Sequence, residues 1–243
     1  MVELYPSIEP YDRGMLDVGQ GNLVYWETCG RPDGKPLNGG SWGSTLALAY
    51  AERFPHRVSE MVLSAITTSR RSETDWLYRG AARFFPGEWQ QFCAAVPGAD
   101  QGENTLAGYA RLMEDSDALV REQAAVAWCA WEDVVLSLES DDPHRYSSKP
   151  TLAMLAFVRI CAHYAANGAW LAEGALLRDA HRLAGIPGVL IHGRRDLSCP
   201  FETAWLARAW PDAELFAPMD SGHLASGSKR QRLLRALDEF ASR

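Results

Sequence analysis

A serine set between glycines is the first group in this chain able to do covalent chemistry. Gly39, Ser41 and Gly43 form G-x-S-x-G within Asn38-Gly39-Gly40-Ser41-Trp42-Gly43-Ser44-Thr45. That spacing lifts a hydroxyl out of a strand-to-helix turn. So tight a turn leaves no room for Cβ atoms beside the serine, and its backbone angles are ones ordinary side chains resist. Asp196 closes Gly193-Arg194-Arg195-Asp196, and His223 closes Asp220-Ser221-Gly222-His223. A serine hydroxyl becomes a nucleophile when an imidazole takes its proton, and a carboxylate fixes that imidazole's tautomer. Ser41, His223 and Asp196 are therefore candidates for nucleophile, base and orienting acid. Taken singly, each has a plain reading: a chance glycine-serine word, a surface loop carboxylate, a solvated Gly-His turn. Their order along the chain, each after a stretch that reads as a strand, favours the triad. Asp220 is a rival acid, but it lies three residues from His223 and would need an awkward return.

The elements that must carry these groups follow from the hydrophobic pattern. Met15–Val18 and Asn22–Thr28 flank Gly19-Gln20-Gly21 and predict a hairpin. Gly30 to Pro36 is a turn-rich connector that leads through Leu37 and Asn38 into the serine turn. Ser44 to Phe54 reads as a helix with Pro55 after its end, and Ser59 to Ile66 as a short buried strand. From about Ser69 to Gly168 the pattern is helical and rich in aromatics, with no strand signal. Asp115 or Ser116 is expected to cap a helix running through Trp128, Trp131 and Val134, and Lys149 to Ala166 reads as another with Pro150 in its first turn. Ile186 to His192 is a strand, Phe201 to Trp210 a helix, Glu214 to Pro218 a last strand and Lys229 to Phe240 a closing helix. The expected organisation is an α/β core with a helical cap inserted between its strands, divided as 1–68, 69–180 and 181–243. Asp196 and His223 then fall at the carboxyl ends of strands, where open α/β sheets place their sites.

Composition narrows the class. The chain has 243 residues, enough for a full core, with 47% hydrophobic and 23% charged residues, as in ordinary soluble globular enzymes. A net charge of −7 argues against nucleic acid or an anionic membrane surface as partner. No apolar run approaches bilayer-spanning length, and Met1 to Pro6 has neither the basic nor the apolar part of a signal peptide. Five cysteines at no metal-like spacing read as reduced, mostly buried thiols, and the expected location is the cytoplasm.

The order Ser, Asp, His is the one α/β-hydrolases use. Over nearly its whole length the chain resembles the proline iminopeptidases of that fold. The words that carry the resemblance are Tyr11–Val18, Tyr25-Trp26-Glu27, Gly39–Tyr50, Arg57–Glu60, Phe84-Phe85-Pro86, Trp131-Glu132, His163-Tyr164, His192-Gly193-Arg194, Asp196 and Gly222-His223. The run from Gly39 to Tyr50 is the most specific of these. The resemblance implies a serine aminopeptidase that removes N-terminal proline from peptides, with neither metal nor organic cofactor. It also implies that Glu132, in the cap, helps to bind the substrate's charged imino group. A carboxylate beside Trp128 and Trp131, shielded from water, would hold a secondary ammonium more strongly than an exposed one.

The resemblance has a gap. Between Pro36 and Asn38 the family carries a His-Gly-Gly-Pro word after one strand and then a second strand, and this chain has neither. The Trp42 backbone N–H remains as an oxyanion donor, while a partner from the His-Gly-Gly loop is lost. The core is therefore expected to lack two central strands. The hairpin should flip to run antiparallel to the elbow strand, dock elsewhere or stay loose, and the stump before Ser41 should leave an edge open to self-association. Cys161 stands where the family usually has a second acid, and Thr67 where an aromatic is frequent, which weakens an imino pocket. The alternatives to the aminopeptidase reading are a catalytically weak or dead chain of the same fold, as a deleted or spliced product or a binding protein, and a general esterase or amidase.

Overall fold

The computed structural model describes residues 12–17, 23–28, 36–98, 105–138, 151–224 and 227–241. Strands β1 (Asp12–Asp17) and β2 (Leu23–Thr28) pair antiparallel, from Asp12 opposite Thr28 to Asp17 opposite Leu23. They form a two-stranded sheet of their own, so the hairpin is not paired antiparallel with the elbow strand. The Gly19-Gln20-Gly21 turn lies outside the described residues, as do Lys149 and Pro150.

β3 (Leu37–Ser41) leads into α1 (Trp42–Arg53), and β4 (Met61–Ile66) follows. The elbow strand is more complete than two residues before a glycine suggest. Leu37 donates its N–H to Glu60 (2.9 Å), and the parallel register with β4 holds from Leu37 opposite Met61 to Gly40 opposite Ser64. Pro36, which has no N–H to give, stands just before the ladder begins. A bulge then brings Ser41 opposite Ile66, and Ala65 takes a φ of 48° to accommodate it.

Five helices come next: α2 (Arg71–Tyr78), α3 (Pro86–Ala94), α4 (Thr105–Leu112), α5 (Ala118–Leu136) and α6 (Leu152–Ala166). Asp117, not Asp115 or Ser116, caps α5 by accepting from the Leu119 N–H, while Asp115 accepts from the N–H of Asp117. Thr151 caps α6 by accepting from the Met154 N–H. These helices bury their aromatic residues in a core of their own, in which Phe92 stacks on Tyr109 at 4.6 Å and packs against Trp128 and Trp131. Among the described residues no strand interrupts them.

After α7 (Ala175–Asp179), β5 (Gly188–Ile191), α8 (Leu206–Ala209), β6 (Ala213–Phe216) and α9 (Gly227–Ala241) complete the chain. The segment read as one helix from Phe201 to Trp210 is a 3-10 stretch, Phe201–Trp205, running into the single turn of α8. The main sheet has the order β3-β4-β5-β6 and is parallel throughout. β4 and β5 lie inside it and are almost wholly buried, which is why both read as unbroken apolar runs. Met61, Leu63 and Leu190 face α1, α7 and α8, whereas Val62, Val189 and Ile191 face Ala236 and Phe240 of α9. Helices thus cover both faces, and every strand ends at one rim.

One buried group sits uneasily in this core. Glu52 on α1 is 7% exposed, and its Oε1 has no hydrogen-bond partner among the described residues. Burial, reinforced by Asp179 and opposed by Arg182 and Arg178, pushes its carboxyl up to about 8. An acid whose folded-state pKa is raised loses stability as pH climbs above its unfolded value. Between pH 4.5 and about 8 the unfolded chain has released a proton that the folded chain retains. Within that window stability should fall by up to about 1.4 kcal/mol per pH unit. Glu52→Gln should flatten that part of the profile, measured by urea unfolding at pH 5.5 and 8, whereas an unchanged slope would assign the pH dependence to other groups.

Candidate active site

Ser41 occupies the junction of β3 and α1 with φ 53° and ψ −127°, a left-handed conformation that costs a non-glycine residue about 1–3 kcal/mol. It holds the N-cap position of α1 but makes no capping hydrogen bond with its side chain. The steric demand of the turn falls on Gly39, where a Cβ would stand 2.4 Å from the Gly43 carbonyl oxygen. At Gly43 a Cβ would meet nothing within 4 Å, so the expectation of crowding at both flanking glycines is corrected to one.

The two residues after the elbow bind it to the next loop. The buried Ser44 hydroxyl donates to the Ser41 carbonyl (2.6 Å) and accepts from the Thr67 N–H (3.0 Å). Thr45 donates to the Thr67 carbonyl at 2.9 Å. Glu73 gathers the same loop by accepting from the Thr67 hydroxyl, the Thr68 N–H and hydroxyl, and Arg70 Nε.

Asp196 and His223 come from the loops after β5 and β6. Imidazole Nδ1 lies 3.1 Å and 3.2 Å from the two carboxylate oxygens, and Asp196 also accepts from the Cys199 N–H at 2.7 Å. The loops are joined by backbone bonds, with His192 N–H to Phe216, Arg194 N–H to Pro218 and Arg195 N–H to Ser221. Gly193 makes this closeness feasible, because a Cβ there would lie 2.3 Å from the Ser221 carbonyl oxygen and 2.5 Å from that of Gly222. Asp220, the rival acid, is engaged elsewhere, with Ser228 and Ser221.

Charge is distributed unevenly here. Burial alone would raise the Asp196 carboxyl, but His223, His192 and the Cys199 N–H outweigh it and hold it below the usual range. Burial alone would lower the His223 imidazolium, and Asp196 with the neighbouring Cys199 sulfur carries it well above the ordinary 6.5. One donor atom each from Asp196, Cys199 and His223 falls within 4.8 Å of the others, a trio able to ligate a metal by donor type. Both Asp196 oxygens already face His223 Nδ1.

A cavity of about 380 Å³ between the sheet rim and the helices is lined by Ser41, Trp42, Tyr78, Glu132, Cys161 and His223, with Thr67 and Cys199 also on its walls. Glu132 projects into it from α5, accepting from Trp128 Nε1 (2.8 Å) and the Tyr78 hydroxyl (3.2 Å). Burial raises the Glu132 carboxyl, against the pull of those two donors and of His223. The Trp42 ring packs on Tyr164 at 4.7 Å. Asp196 and His223 are thus in direct contact, and Ser41 and Glu132 share their cavity. Among the described residues no hydrogen bond runs from the Ser41 side chain to the imidazole. Apo sites often tighten this contact only when substrate binds.

Several supporting residues escape a reading by motif. Ser44 and Thr45 are polar on a buried helix face that continues through Ala47, Leu48 and Ala51. His192 ends an apolar strand run and is fully buried, with Nδ1 accepting from the Ile66 N–H (3.1 Å) and Nε2 facing the Cys199 carbonyl (2.9 Å). Lys229 heads the buried stripe of α9 that continues at Leu233, Ala236, Leu237 and Phe240.

A profile described as the alpha/beta hydrolase fold matches residues 32–229. The proline iminopeptidase of Xylella fastidiosa (strain Temecula1 / ATCC 700964) is 35% identical over 313 aligned residues, covering 99% of this chain and 100% of its own. That of Xanthomonas citri is 34% identical over 314, covering 99% and 100%. The Neisseria gonorrhoeae proline iminopeptidase is 41% identical over 194 residues, 77% of this chain and 60% of its own. The fold is that of the alpha/beta hydrolases, and within it this chain belongs to the proline iminopeptidase family. The 313 aligned positions exceed the 243 residues here, so the Xylella relative carries residues with no counterpart in this chain.

The contact between the acid and base loops can be tested at Gly193. Gly193→Ala forces its Cβ against two backbone carbonyls, and overpacking of this kind costs about 1–3 kcal/mol. A drop of that size in urea unfolding is expected, and wild-type stability would refute the close approach.

Proposed function

We propose that this chain is a serine aminopeptidase that releases N-terminal proline from peptides, without metal or organic cofactor. One observation carries the reading: the hydrogen-bonded pair of buried Asp196 and part-buried His223 opens onto the same cavity as the strained Ser41 elbow and the Glu132 carboxyl group. Family membership supplies the substrate class. With Nδ1 committed to Asp196, imidazole Nε2 is the nitrogen that takes the Ser41 proton as Oγ attacks the prolyl carbonyl. The same nitrogen returns that proton to the departing amine, and a water activated in the same way releases proline. The Trp42 N–H, at the start of α1, stabilises the oxyanion. Glu132 receives the secondary ammonium while Tyr78 and Trp128 hold its carboxylate.

Two features set this chain apart from a fully equipped enzyme of its class. Cys161 offers no second negative charge beside Glu132. The Trp42 N–H acts without a donor from a His-Gly-Gly loop, and loss of one such donor costs about 10²–10³ in rate. Turnover is therefore slow rather than absent.

Hydrolysis of a proline arylamide, abolished by Ser41→Ala, is the decisive assay, and persistence of that activity in the variant would end the reading. Glu132→Gln should raise KM for the arylamide by about 10–100-fold, the worth of a charged hydrogen bond, and leave cleavage of a short uncharged ester unchanged. Equal losses on both substrates would remove Glu132 from amine recognition. The imidazole must be neutral to accept a proton, and its pKa is raised. In the wild-type protein kcat/KM should accordingly fall on the acid side with a midpoint above 6.5, and a midpoint below that value would contradict the Asp196–His223 pairing.

A further inference from the structure

Lys229 is fully buried at the start of α9, an uncommon place for an ammonium unless it is well satisfied. Its Nζ donates to the carbonyl of Gly222 at 3.0 Å and to that of His223 itself. Its backbone N–H reaches the Ser221 hydroxyl at 3.4 Å. The Gly222 carbonyl thus accepts from the ammonium, and it lies so near Gly193, in the Asp196 loop, that a Cβ there would come within 2.5 Å of it. Three consecutive residues, Ser221, Gly222 and His223, are tied to one side chain and its own amide.

A merely solvated lysine would keep its head in water and bury only its stem. Here the head is buried and spent on two successive peptide carbonyls. Both belong to the loop that presents the imidazole to Asp196. Groups facing the His223 ring itself are Asp196, Cys199 and, across the cavity, Glu132. Lys229 acts on the backbone behind that ring.

We propose that Lys229 is a positioning residue for the base, its ammonium clamping the Gly222 and His223 carbonyls so that the imidazole stays within hydrogen-bonding reach of Asp196. The inference rests on the reading of His223 as the base. It separates the clamp from the packing of α9, which Leu233, Ala236, Leu237 and Phe240 supply.

The test uses Lys229→Met, which keeps the length of the side chain and removes every donor, and Lys229→Gln, which keeps N–H donors and removes the charge. With the clamp lost, kcat for a proline arylamide should fall by about tenfold or more in Lys229→Met while KM stays within about twofold, since only the proton-transfer geometry changes. Lys229→Gln should recover part of that loss. Independently of turnover, the downfield proton resonance of the imidazole N–H bonded to Asp196, identified by its disappearance in His223→Ala, should broaden or move upfield in Lys229→Met. A folded Lys229→Met with wild-type kcat and an unmoved resonance would overturn the inference. If Lys229→Met does not fold, Lys229→Gln decides: an unmoved resonance and unchanged kcat overturn it, and a shift with reduced kcat at constant KM supports it. Absence of Ser41-dependent hydrolysis in the wild-type protein would instead fault the catalytic reading, and the resonance would still report whether the clamp holds the imidazole.

Discussion

A carboxylate sealed from water sets the terms for the whole site. The Asp196 side chain has no exposed surface, and isolating such a charge costs several kcal/mol unless partners meet it. Those partners are the Cys199 N–H, three residues further on in its own loop, and His223 Nδ1 from the loop after the neighbouring strand. A charge that must be satisfied by two loops requires the loops to stay registered. The parallel pairing of β5 and β6 continues past both strand ends through the His192, Arg194 and Arg195 amides, and that continuation supplies the registration. The sheet therefore does more than carry Asp196 and His223 to one rim. Its hydrogen-bond ladder runs directly into the site.

The other half of the cavity is fastened by different means. The elbow strand pairs with β4, and β4 passes the connection on through the Ile66 N–H to the neutral His192 ring, whose second nitrogen faces the Cys199 carbonyl. His192 needs one nitrogen to accept and the other to donate, so only the uncharged ring serves both bonds. Burial holds it in that state by lowering its pKa. The bulge at Ala65 matters for the same reason, because it turns the Ile66 amide off the strand ladder and toward the imidazole. Ser44 and Thr45 then secure α1 to Thr67. The Ser41 half and the Asp196–His223 half are joined by this buried polar chain, in which each member is worth more than an exposed bond would be.

Much of this was legible in the residues, for identifiable reasons. Parallel strands buried on both faces leave apolar runs, so β4 and β5 were readable from Ser59–Ile66 and Ile186–His192. The G-x-S-x-G spacing reports a steric condition that the Gly39 contact makes concrete. Harder to read was anything set by long-range hydrogen bonding. Asp117 wins the α5 cap from Asp115 because the latter's carboxylate is drawn to the Asp117 amide, a competition between positions two residues apart that composition does not resolve. Leu37 and Asn38 alone make the elbow strand read as too short. In the fold, Gly39, Gly40 and Ser41 themselves complete the pairing with β4, since glycine and serine amides make ladder bonds as well as valine amides do. Lys229 was invisible for the opposite reason: a charged residue at the head of an amphipathic helix reads as surface until the loop carbonyls it serves are placed.

The helices between β4 and β5 complete the chemistry by bringing a carboxylate to the imidazole without letting the two meet. Glu132 stands on α5 behind Tyr78 and Trp128, in the cavity that His223 also lines, and the two groups influence each other through a medium that screens poorly. Burial drives Glu132 toward its neutral form, while Asp196 drives His223 toward its charged form. Under the proposed function a secondary ammonium arriving at Glu132 reverses the first tendency, because direct pairing favours the carboxylate. The charge of the cation and the charge that Glu132 then acquires offset each other at the imidazole, so the Asp196–His223 pairing still sets the state of the ring. Recognition of the cation thus rests on a carboxyl group that desolvation alone would keep protonated.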